Sequence, residues 1–244
     1  MSTAFLTEEW RHLVMLNYAV EHKLLDPRVP RGLELDRFHS VAYLSVVGFL
    51  FLKARVLGIS FPFHRDFEEV NLRFYVRHWG PEGWRRGVVF VREIVPRRAI
   101  ATLARRLYGE PYSAFPMMHA IERDGLELRC RYAWQRNGRR EFVSASASGA
   151  AEPIASGSLE EFITEHYWGY TARGEHCTQY QVEHPRWRVW RATAARFEAD
   201  VASLYGPEFV APLSAPPASA FIADGSPVVV RRGSPLASAA VATE

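Results

Sequence analysis

The sequence lacks the features of membrane-spanning and secreted proteins. Its longest nearly uncharged apolar run, Val41 to Leu52, ends at Lys53 and falls well short of the ~20 residues that a spanning helix needs. The N-terminal stretch MSTAFLTEEW has two glutamates and no basic region ahead of an apolar one, so it does not resemble a signal peptide. We therefore expect a cytoplasmic protein with no membrane partner.

Cysteine is almost absent. Cys130 and Cys177 are the only two cysteines, and neither belongs to a CxxC pair, which excludes a disulfide framework and a four-thiolate metal site. Other potential metal ligands form a loose group of Glu165, His166, Glu175, His176 and His184. Their spacing matches no recognised metal-binding pattern, so we expect no metal ion and two free, buried thiols.

Lysine is also nearly absent. Lys23 and Lys53 are the only lysines among 30 basic residues, and neither follows a glycine-rich loop. Any chemistry that requires a nucleophilic or phosphate-binding lysine must use one of these two. The common signatures of nucleotide-binding proteins, serine esterases and zinc proteases are missing as well, so we expect no cofactor.

No charge of one sign dominates the chain, whose formal net charge is +3 with 27 acidic residues. The arginine pairs that could contact phosphate are dispersed: Arg85-Arg86, Arg97-Arg98, Arg105-Arg106, Arg139-Arg140 and Arg231-Arg232. Because they form no single basic block, the sequence argues against nucleic-acid binding.

Composition and pattern predict one mainly β domain with a few helices. The 244 residues are 48% hydrophobic, which is enough for a sizeable core, and no repeat or break in composition marks a boundary. We expect a single domain over residues 1–235 and a C-terminal tail over 236–244.

Three long strands are predicted in the first half of the chain. The apolar run Phe38 to Phe51 predicts a buried strand that is bent or bulged at Gly48, and Trp84 to Val95 predicts another. Strict alternation over Phe67 to Arg77 separates an apolar face from a polar one. The polar face carries Glu69, Asn71, Arg73 and Tyr75. On its own the alternation favours solvent for this face, because half-polar strands are mostly half-exposed; the alternative is the polar interior of a closed sheet.

Turn signals predict a meander in the middle of the chain. Asp124-Gly125 and Asn137-Gly138 each separate two strand-like runs, as in antiparallel hairpins. Near the C-terminus, Ala211 to Ala220 has the composition of a linker, and Ala223 to Ser226 predicts a turn before a strand over Val228 to Val230.

Three helices are predicted. Thr7 is a candidate N-cap for a short helix to about Leu13, and Ala192 to Leu204 has helical composition. The strongest signal is the S-x-x-E capping box at Ser158, which predicts a helix from Leu159 to about Tyr167.

Several segments together resemble one family. They are Val29–Asp36, Phe67–Val76, Glu161–Tyr167, Glu183–Trp187 and Ala223–Val228, and they resemble the uncharacterised YqjF-like family, which is related to acetoacetate decarboxylase. The resemblance implies a mainly β (α+β) fold: a large antiparallel sheet, curled or closed into a barrel around a central polar pocket, with a few peripheral helices. It also places the polar face of the Phe67 to Arg77 strand inside that pocket.

The resemblance also bears on the chemistry. The decarboxylase forms a Schiff base through a lysine that follows a proline, in a run resembling Arg105 to Tyr112. Tyr112 holds the place of that lysine, and a phenol forms no imine with a ketone. Glu69 lies in an aromatic-x-Glu pattern that resembles the one placing an acidic residue in the decarboxylase pocket.

These residues are the candidate site. Glu69, Tyr112 and Glu165 are candidates for acid–base chemistry, if burial raises the pKa of a glutamate, and Arg73 is suited to a carboxylate. The binding candidates are Asn71, Arg73, Tyr75, Tyr108, His166 and Tyr167. The alternative for Arg73 is a structural ion pair with Glu69, and for Glu165, His166 and Tyr167 it is an ordinary helix surface.

Two classes of function follow. The first is a protein that binds a small carboxylate- or carbonyl-bearing molecule, with an anionic ligand expected, and that has catalytic activity without a Schiff base. The second is a non-catalytic ligand-binding or scaffold protein of the same fold. The sequence leaves homo-oligomerisation open.

Overall fold

The computed structural model describes residues 4–60, 65–107, 109–173 and 176–236. Its strands are β1 (Ala4–Val20), β2 (Glu34–Leu35), β3 (Ala42–Val56), β4 (Phe67–Gly80), β5 (Gly83–Val95), β6 (Tyr112–Ala114), β7 (Met117–Asp124), β8 (Glu127–Arg136), β9 (Arg139–Ser148), β10 (Glu152–Pro153), β11 (Trp168–Arg173), β12 (His176–Glu183), β13 (Arg188–Glu198), β14 (Ser219–Arg231) and β15 (Ser234–Pro235). Its α-helices are α1 (His22–Leu25), α2 (Arg98–Leu107), α3 (Leu159–Thr164), α4 (Val201–Leu204) and α5 (Val210–Ser214). Short 3-10 turns cover Asp26–Arg28 and Pro207–Phe209. None of the helices in these ranges is long and apolar enough to cross a membrane.

The strands form one 15-stranded sheet whose main path runs β15-β12-β11-β5-β4-β3-β1-β14-β13-β9-β8-β7. β12 also pairs with β14, so the path from β12 through β5 and β1 to β14 returns to its starting strand. The resemblance predicts an antiparallel sheet, but β5 pairs in parallel with both β6 and β11, so the sheet is mixed. The mainly β class with few helices is confirmed.

The strongest strand signals agree with the structure. The predicted strands at Phe38, Phe67 and Trp84 correspond to β3, β4 and β5, and the predicted meander is β7–β8–β9. Asn137 and Gly138 both have positive φ, as a two-residue hairpin turn requires. The other hairpin turns one residue later than predicted, with Asp124 still paired to Glu127.

Three local predictions are wrong. Thr7 to Leu13 belongs to β1, because this segment pairs with β3 on one side and β14 on the other, and those pairings outweigh its helical signals. Ala192 to Glu198 belongs to β13, and only Val201–Leu204 is helical. The predicted turn at Ala223 to Ser226 is continuous strand within β14.

The linker and tail predictions met different outcomes. The predicted linker from Ala211 contains most of α5, and β14 has already begun at Ser219. Of the predicted tail, only Leu236 is described, and residues 237–244 lie outside the described ranges.

The capping box begins α3 as predicted. The Ser158 side chain accepts a hydrogen bond from the Glu161 backbone N–H at 3.1 Å, and Glu161 Oε2 accepts one from the Gly157 N–H at 2.6 Å. The helix is shorter than predicted and ends at Thr164, with Glu165 as its C-cap. It buries Phe162 and Ile163 against the sheet and leads the chain toward His166.

The two faces of the sheet bury different apolar clusters. One face packs against β8, β9 and α4, with Leu72 and Phe74 of β4 beside Tyr132 and Trp134 of β8. The opposite face, which holds Val47 and Phe49 of β3, packs against α3. It is this second face that curves around the pocket described below.

Bulges change which side chains face the pocket. One extra residue lies in β1 near His12, whose φ is 53°, and one in β3 near Lys53, whose φ is 57°. A third lies in β5 at Val91, between the pairs Leu72↔Arg92 and Arg73↔Phe90. Since neighbouring residues of a strand point to opposite faces, each extra residue reverses the alternation that follows it.

Candidate functional site

A cavity of about 330 Å³ opens on the curved inner face of the sheet. It is lined by residues of β1, β3, β4, β5, β6, β11, β12 and β14, of α2, and of the segments that follow α2, α3 and β12. The resemblance implies a polar pocket, but most of the lining is apolar or aromatic, including Trp10, Phe49, Phe51, Phe67, Phe90, Trp168 and Trp187. Only a minority of the lining side chains are polar.

Glu69 is buried on β4 and fully hydrogen-bonded within the pocket wall. Asn71 Nδ2 donates to its Oε1 at 3.0 Å, and the Tyr112 hydroxyl donates to its Oε2 at 3.3 Å. Burial raises the pKa of Glu69 to about 7, although both hydrogen bonds and the charge of Arg73 act to lower it. Its carboxyl therefore exchanges a proton near neutral pH.

Three further buried glutamates line the cavity: Glu8, Glu93 and Glu110. Burial raises the pKa of Glu8 and of Glu93 well above the usual value, and for Glu93 the nearby Glu110 and Glu69 add to the effect. Glu8 accepts a hydrogen bond from Trp10 Nε1 at 2.6 Å, and the Tyr180 hydroxyl donates to Glu110. Burial therefore shifts both carboxyls toward the protonated, neutral form.

Arg73 brings a positive charge into this wall. It is only 8% exposed, yet within the described part of the chain no carboxylate lies within 4.0 Å of its guanidinium, and its Nε has no hydrogen-bond partner. The direct Glu69–Arg73 ion pair, one of the two alternatives from the sequence, is therefore not formed. A buried guanidinium without a counter-ion is costly, and a bound anion would relieve that cost.

His166 lies at the pocket beside Tyr75, with their ring centroids 4.7 Å apart. Its Nε2 is 3.1 Å from Asp36 Oδ2, which also accepts a hydrogen bond from Arg86 Nε at 2.6 Å. Burial lowers the pKa of His166 to about 4, so the ring is neutral at physiological pH. Its Nδ1 is buried and has no partner among the described residues.

Other candidates from the sequence lie away from the cavity. Tyr75 is buried behind the lining, and its hydroxyl is 2.6 Å from Ser45 Oγ. The Tyr167 hydroxyl donates a hydrogen bond to Glu165 Oε2 at 2.6 Å, and Arg186 Nε lies 3.9 Å from the same oxygen. Neither Glu165 nor Tyr167 lines the pocket. Tyr108 and Glu175 lie outside the described residues.

Neither of the chain's two lysines lines the cavity. Lys53 is exposed and pairs with Glu9 at 2.6 Å, and Lys23 lies on α1. Tyr112, in the place that the resemblance gives to the Schiff-base lysine, does line the pocket. Within the described ranges, no three His, Cys, Asp or Glu side chains are arranged to hold a metal ion.

Sequence reasoning missed several lining residues. Glu93 reaches the pocket only because the bulge at Val91 reverses the alternation of β5, and no residue in that strand announces a bulge. The sequence does not identify Glu8 as a pocket residue, because the helical signals of its segment predict a helix there instead of a strand. Asp36, at the end of β2, is brought to His166 by the pairing of β2 with β4, a contact between distant segments that local pattern does not specify.

Comparisons with known proteins agree with this architecture. A family model described as an uncharacterized conserved protein, DUF2071, matches residues 7–227. The uncharacterized protein YqjF of Bacillus subtilis (strain 168) is 27% identical over 197 residues, which cover 78% of this chain and 76% of YqjF.

Solved structures share the fold at low sequence identity. Acetoacetate decarboxylase from Legionella pneumophila has a TM-score of 0.65 and 12% identity, covering 96% of this chain and 87% of that one. The enduracididine biosynthesis enzyme MppR, complexed with pyruvate, has a TM-score of 0.67 and 14% identity, covering 97% and 91%. These similarities show an acetoacetate decarboxylase-like fold.

Proposed function

This chain belongs to the DUF2071 family, and on that premise we propose that its pocket binds a small molecule carrying a carboxylate on a largely apolar body. The observation that carries the proposal is Arg73, a buried guanidinium at a cavity with no carboxylate partner in the described part of the chain. A ligand carboxylate supplies that partner and, in bidentate geometry, two charge-assisted hydrogen bonds.

Burial weakens the opposition of three pocket glutamates to an anionic ligand. It raises the pKa of Glu8 and Glu93 well above the usual value and that of Glu69 to about 7, so these carboxyls carry less negative charge than exposed ones. The aromatic walls suit the apolar remainder of the ligand.

The pocket's size favours ligand binding over a scaffold. A volume of about 330 Å³ falls at the lower end of the ~300–1,000 Å³ typical of small-molecule sites. A scaffold that kept only the fold would be expected to pack this space with side chains. One protein of the same fold, MppR, has been captured with pyruvate, a small carboxylate that also carries a carbonyl.

We further propose that Glu69 transfers protons to or from the bound ligand, with Tyr112 as its hydrogen-bond donor. A carboxyl that titrates near neutral pH serves as both acid and base. A Schiff base at the pocket is not part of the proposal, since neither lysine lines the pocket.

The test is ligand-induced thermal stabilisation of the purified protein with a panel of small keto acids, hydroxy acids and lipophilic carboxylates. A ligand that binds the native state raises the Tm, and Arg73→Gln should lower its affinity by roughly 10- to 100-fold, the worth of hydrogen bonds to a charged group. The matched control is Arg77→Gln, on the same strand, where the exposed guanidinium pairs with Glu34 away from the cavity.

Stability distinguishes the proposal from a structural ion pair. Because no carboxylate of the described residues lies within 4.0 Å of the Arg73 guanidinium, Arg73→Gln should leave the unliganded Tm unchanged or raise it. Strong destabilisation of that variant, together with no Tm shift for any acid in the panel, would count for a structural role and against the proposal.

A further inference from the structure

Asp36, Arg86 and His166 form a chain of hydrogen bonds that ends at the pocket, with Asp36 and His166 buried and Arg86 partly exposed. Asp36 Oδ2 lies 2.6 Å from Arg86 Nε and 3.1 Å from His166 Nε2, and the His166 side chain is 1% exposed. Arg86 holds the carboxylate from one side, so that Asp36 presents an acceptor to the imidazole.

This geometry determines the tautomer of His166. The hydrogen bonds from His166 and Arg86 lower the pKa of Asp36 against the opposing effect of burial, so Asp36 is ionised and has no proton to donate. The proton shared at 3.1 Å must therefore belong to His166 Nε2. Since the ring is neutral, Nδ1 carries a lone pair and acts only as an acceptor.

Nδ1 is the unexplained atom of this arrangement. It is buried and has no hydrogen-bond partner among the described residues, although His166 lines the cavity. A buried acceptor without a donor destabilises the folded protein, and a donor supplied by a ligand relieves that cost.

We propose that His166 Nδ1 accepts a hydrogen bond from a hydroxyl of the ligand, and that the pocket therefore selects a hydroxy acid, with its carboxylate on Arg73. This inference rests on the proposed function and adds the substrate class to it. Arg73 and His166 line the same cavity, and both lie near the Tyr75 ring, with the guanidinium carbon 5.9 Å and the imidazole centroid 4.7 Å from its centre. One small molecule in that cavity is therefore proposed to meet both.

Other ligand groups fit this position less well. A ketone oxygen would set two acceptors against each other. An ammonium group would enter a region that is already positive, because Arg86 and Arg73 both lie close enough to help lower the pKa of His166. A hydroxyl offers the donor without adding a charge.

The first experiment compares three acids that share one carbon skeleton and carry a hydroxyl, a carbonyl or two hydrogens at carbon 2: 3-phenyllactate, phenylpyruvate and 3-phenylpropionate. A second set carries the hydroxyl or the carbonyl at carbon 3 instead. The protein should bind a hydroxy acid roughly tenfold tighter than its deoxy or keto counterpart in calorimetric titration. His166→Phe should remove this preference, so that the ratio of hydroxy-acid to deoxy-acid affinity falls to about one.

His184→Phe is the matched control. His184 also lines the pocket, but its Nδ1 lies 3.0 Å from the Pro185 carbonyl oxygen and is occupied. This variant should keep the ratio of hydroxy to deoxy affinity even if it changes both values.

A second measurement uses the unmodified protein and does not depend on how a variant folds. Nitrogen NMR of the imidazoles should show His166 protonated at Nε2 and bare at Nδ1, with the Nδ1 resonance shifting when a hydroxy acid binds. Protonation at Nδ1 in the free protein would overturn the inference. So would equal affinity for hydroxy and deoxy acids that both depend on Arg73, a result that leaves the proposed function standing. Binding of no acid at all would overturn both.

Discussion

At the scale of single residues, the pocket combines groups that proteins rarely bury unpaired. Glu69 is buried with Asn71 and Tyr112 as hydrogen-bond partners. Arg73, on the same face, has no carboxylate of the described ranges within 4.0 Å of its guanidinium. Keeping the two charges from pairing directly leaves the guanidinium available and the carboxyl able to hold a proton. The cost of this arrangement should appear in the pH dependence of stability.

Stability should fall as the pH rises through the titration of Glu69. Its folded pKa of about 7 exceeds the unfolded value of ~4.3, so between these limits the folded protein holds a proton that the unfolded chain releases. Glu69→Gln removes this difference. From pH 5 to pH 8, the parent should therefore lose on the order of 3 kcal/mol more unfolding free energy than the variant, measured by urea titration.

The comparison reports the titration of Glu69 together with its effect on Glu8 and Glu93, because the charge of Glu69 helps to raise the pKa of both neighbours. Parallel pH profiles for parent and variant would show that Glu69 is ionised in the folded state throughout this range. In that case it could not act as a proton donor at neutral pH.

The sequence could predict which face of β4 carries the site. Alternation separates Glu69, Asn71 and Arg73 from the core face, and the family resemblance turns them inward, where the structure has them. It could not predict that Glu69 bonds to Tyr112 rather than pairing with Arg73, because that choice depends on the distance between β4 and β6, which are not neighbours in sequence.

At the scale of elements, predictions held where a local signal and the tertiary pairings agreed. β4 has strict alternation and long partners on both sides, and Ser158 caps a helix whose apolar residues face the sheet. Thr7 is of a residue type that favours the N-cap of a helix, but its segment pairs with β3 on one side and β14 on the other. Bulges lie between these cases, since one residue changes the face of every residue after it and leaves no clear mark in the sequence.

The cap of α3 gives a test at this scale. Ser158→Ala loses the hydrogen bond to the Glu161 N–H and should cost about 1 kcal/mol of unfolding free energy. Ser156→Ala, in the exposed turn just before it, should cost almost nothing. Because α3 leads to Thr164 and His166, the Ser158 variant should also bind pocket ligands more weakly. Equal stability of the two variants in chemical denaturation would show that the cap contributes nothing.

At the scale of the whole molecule, the pocket sheet and the β7–β8–β9 meander meet at one tight point. A Cβ added to Gly48 of β3 would lie 2.8 Å from both the Tyr132 ring and Val143 Cγ1. The Tyr132 hydroxyl also donates to the His12 carbonyl at 2.9 Å, where β1 is bulged. The Tyr132 side chain therefore contacts both the bulge in β1 and the close approach at Gly48 of β3.

Gly48→Ala should displace that side chain and destabilise the protein by about 1–3 kcal/mol, as overpacking does in a dense core. Gly233→Ala is the control, because its nearest neighbour atom would be 3.4 Å away. Both can be compared by the urea midpoint at constant slope. A Gly48 variant as stable as the control would mean that the meander can shift to admit a methyl group.

The pairing of β14 with both β1 and β12 has a consequence for how the protein is made. Thr7 of β1 pairs with Val229 of β14, so β1 cannot form this pairing until almost the whole chain has been synthesised. Until β14 leaves the ribosome, β1 and β12 have open edges, and a cavity whose lining extends from Phe5 to Val230 does not exist. We therefore expect a chain that stops before β14 to aggregate through these open edges rather than to fold into a weakened protein.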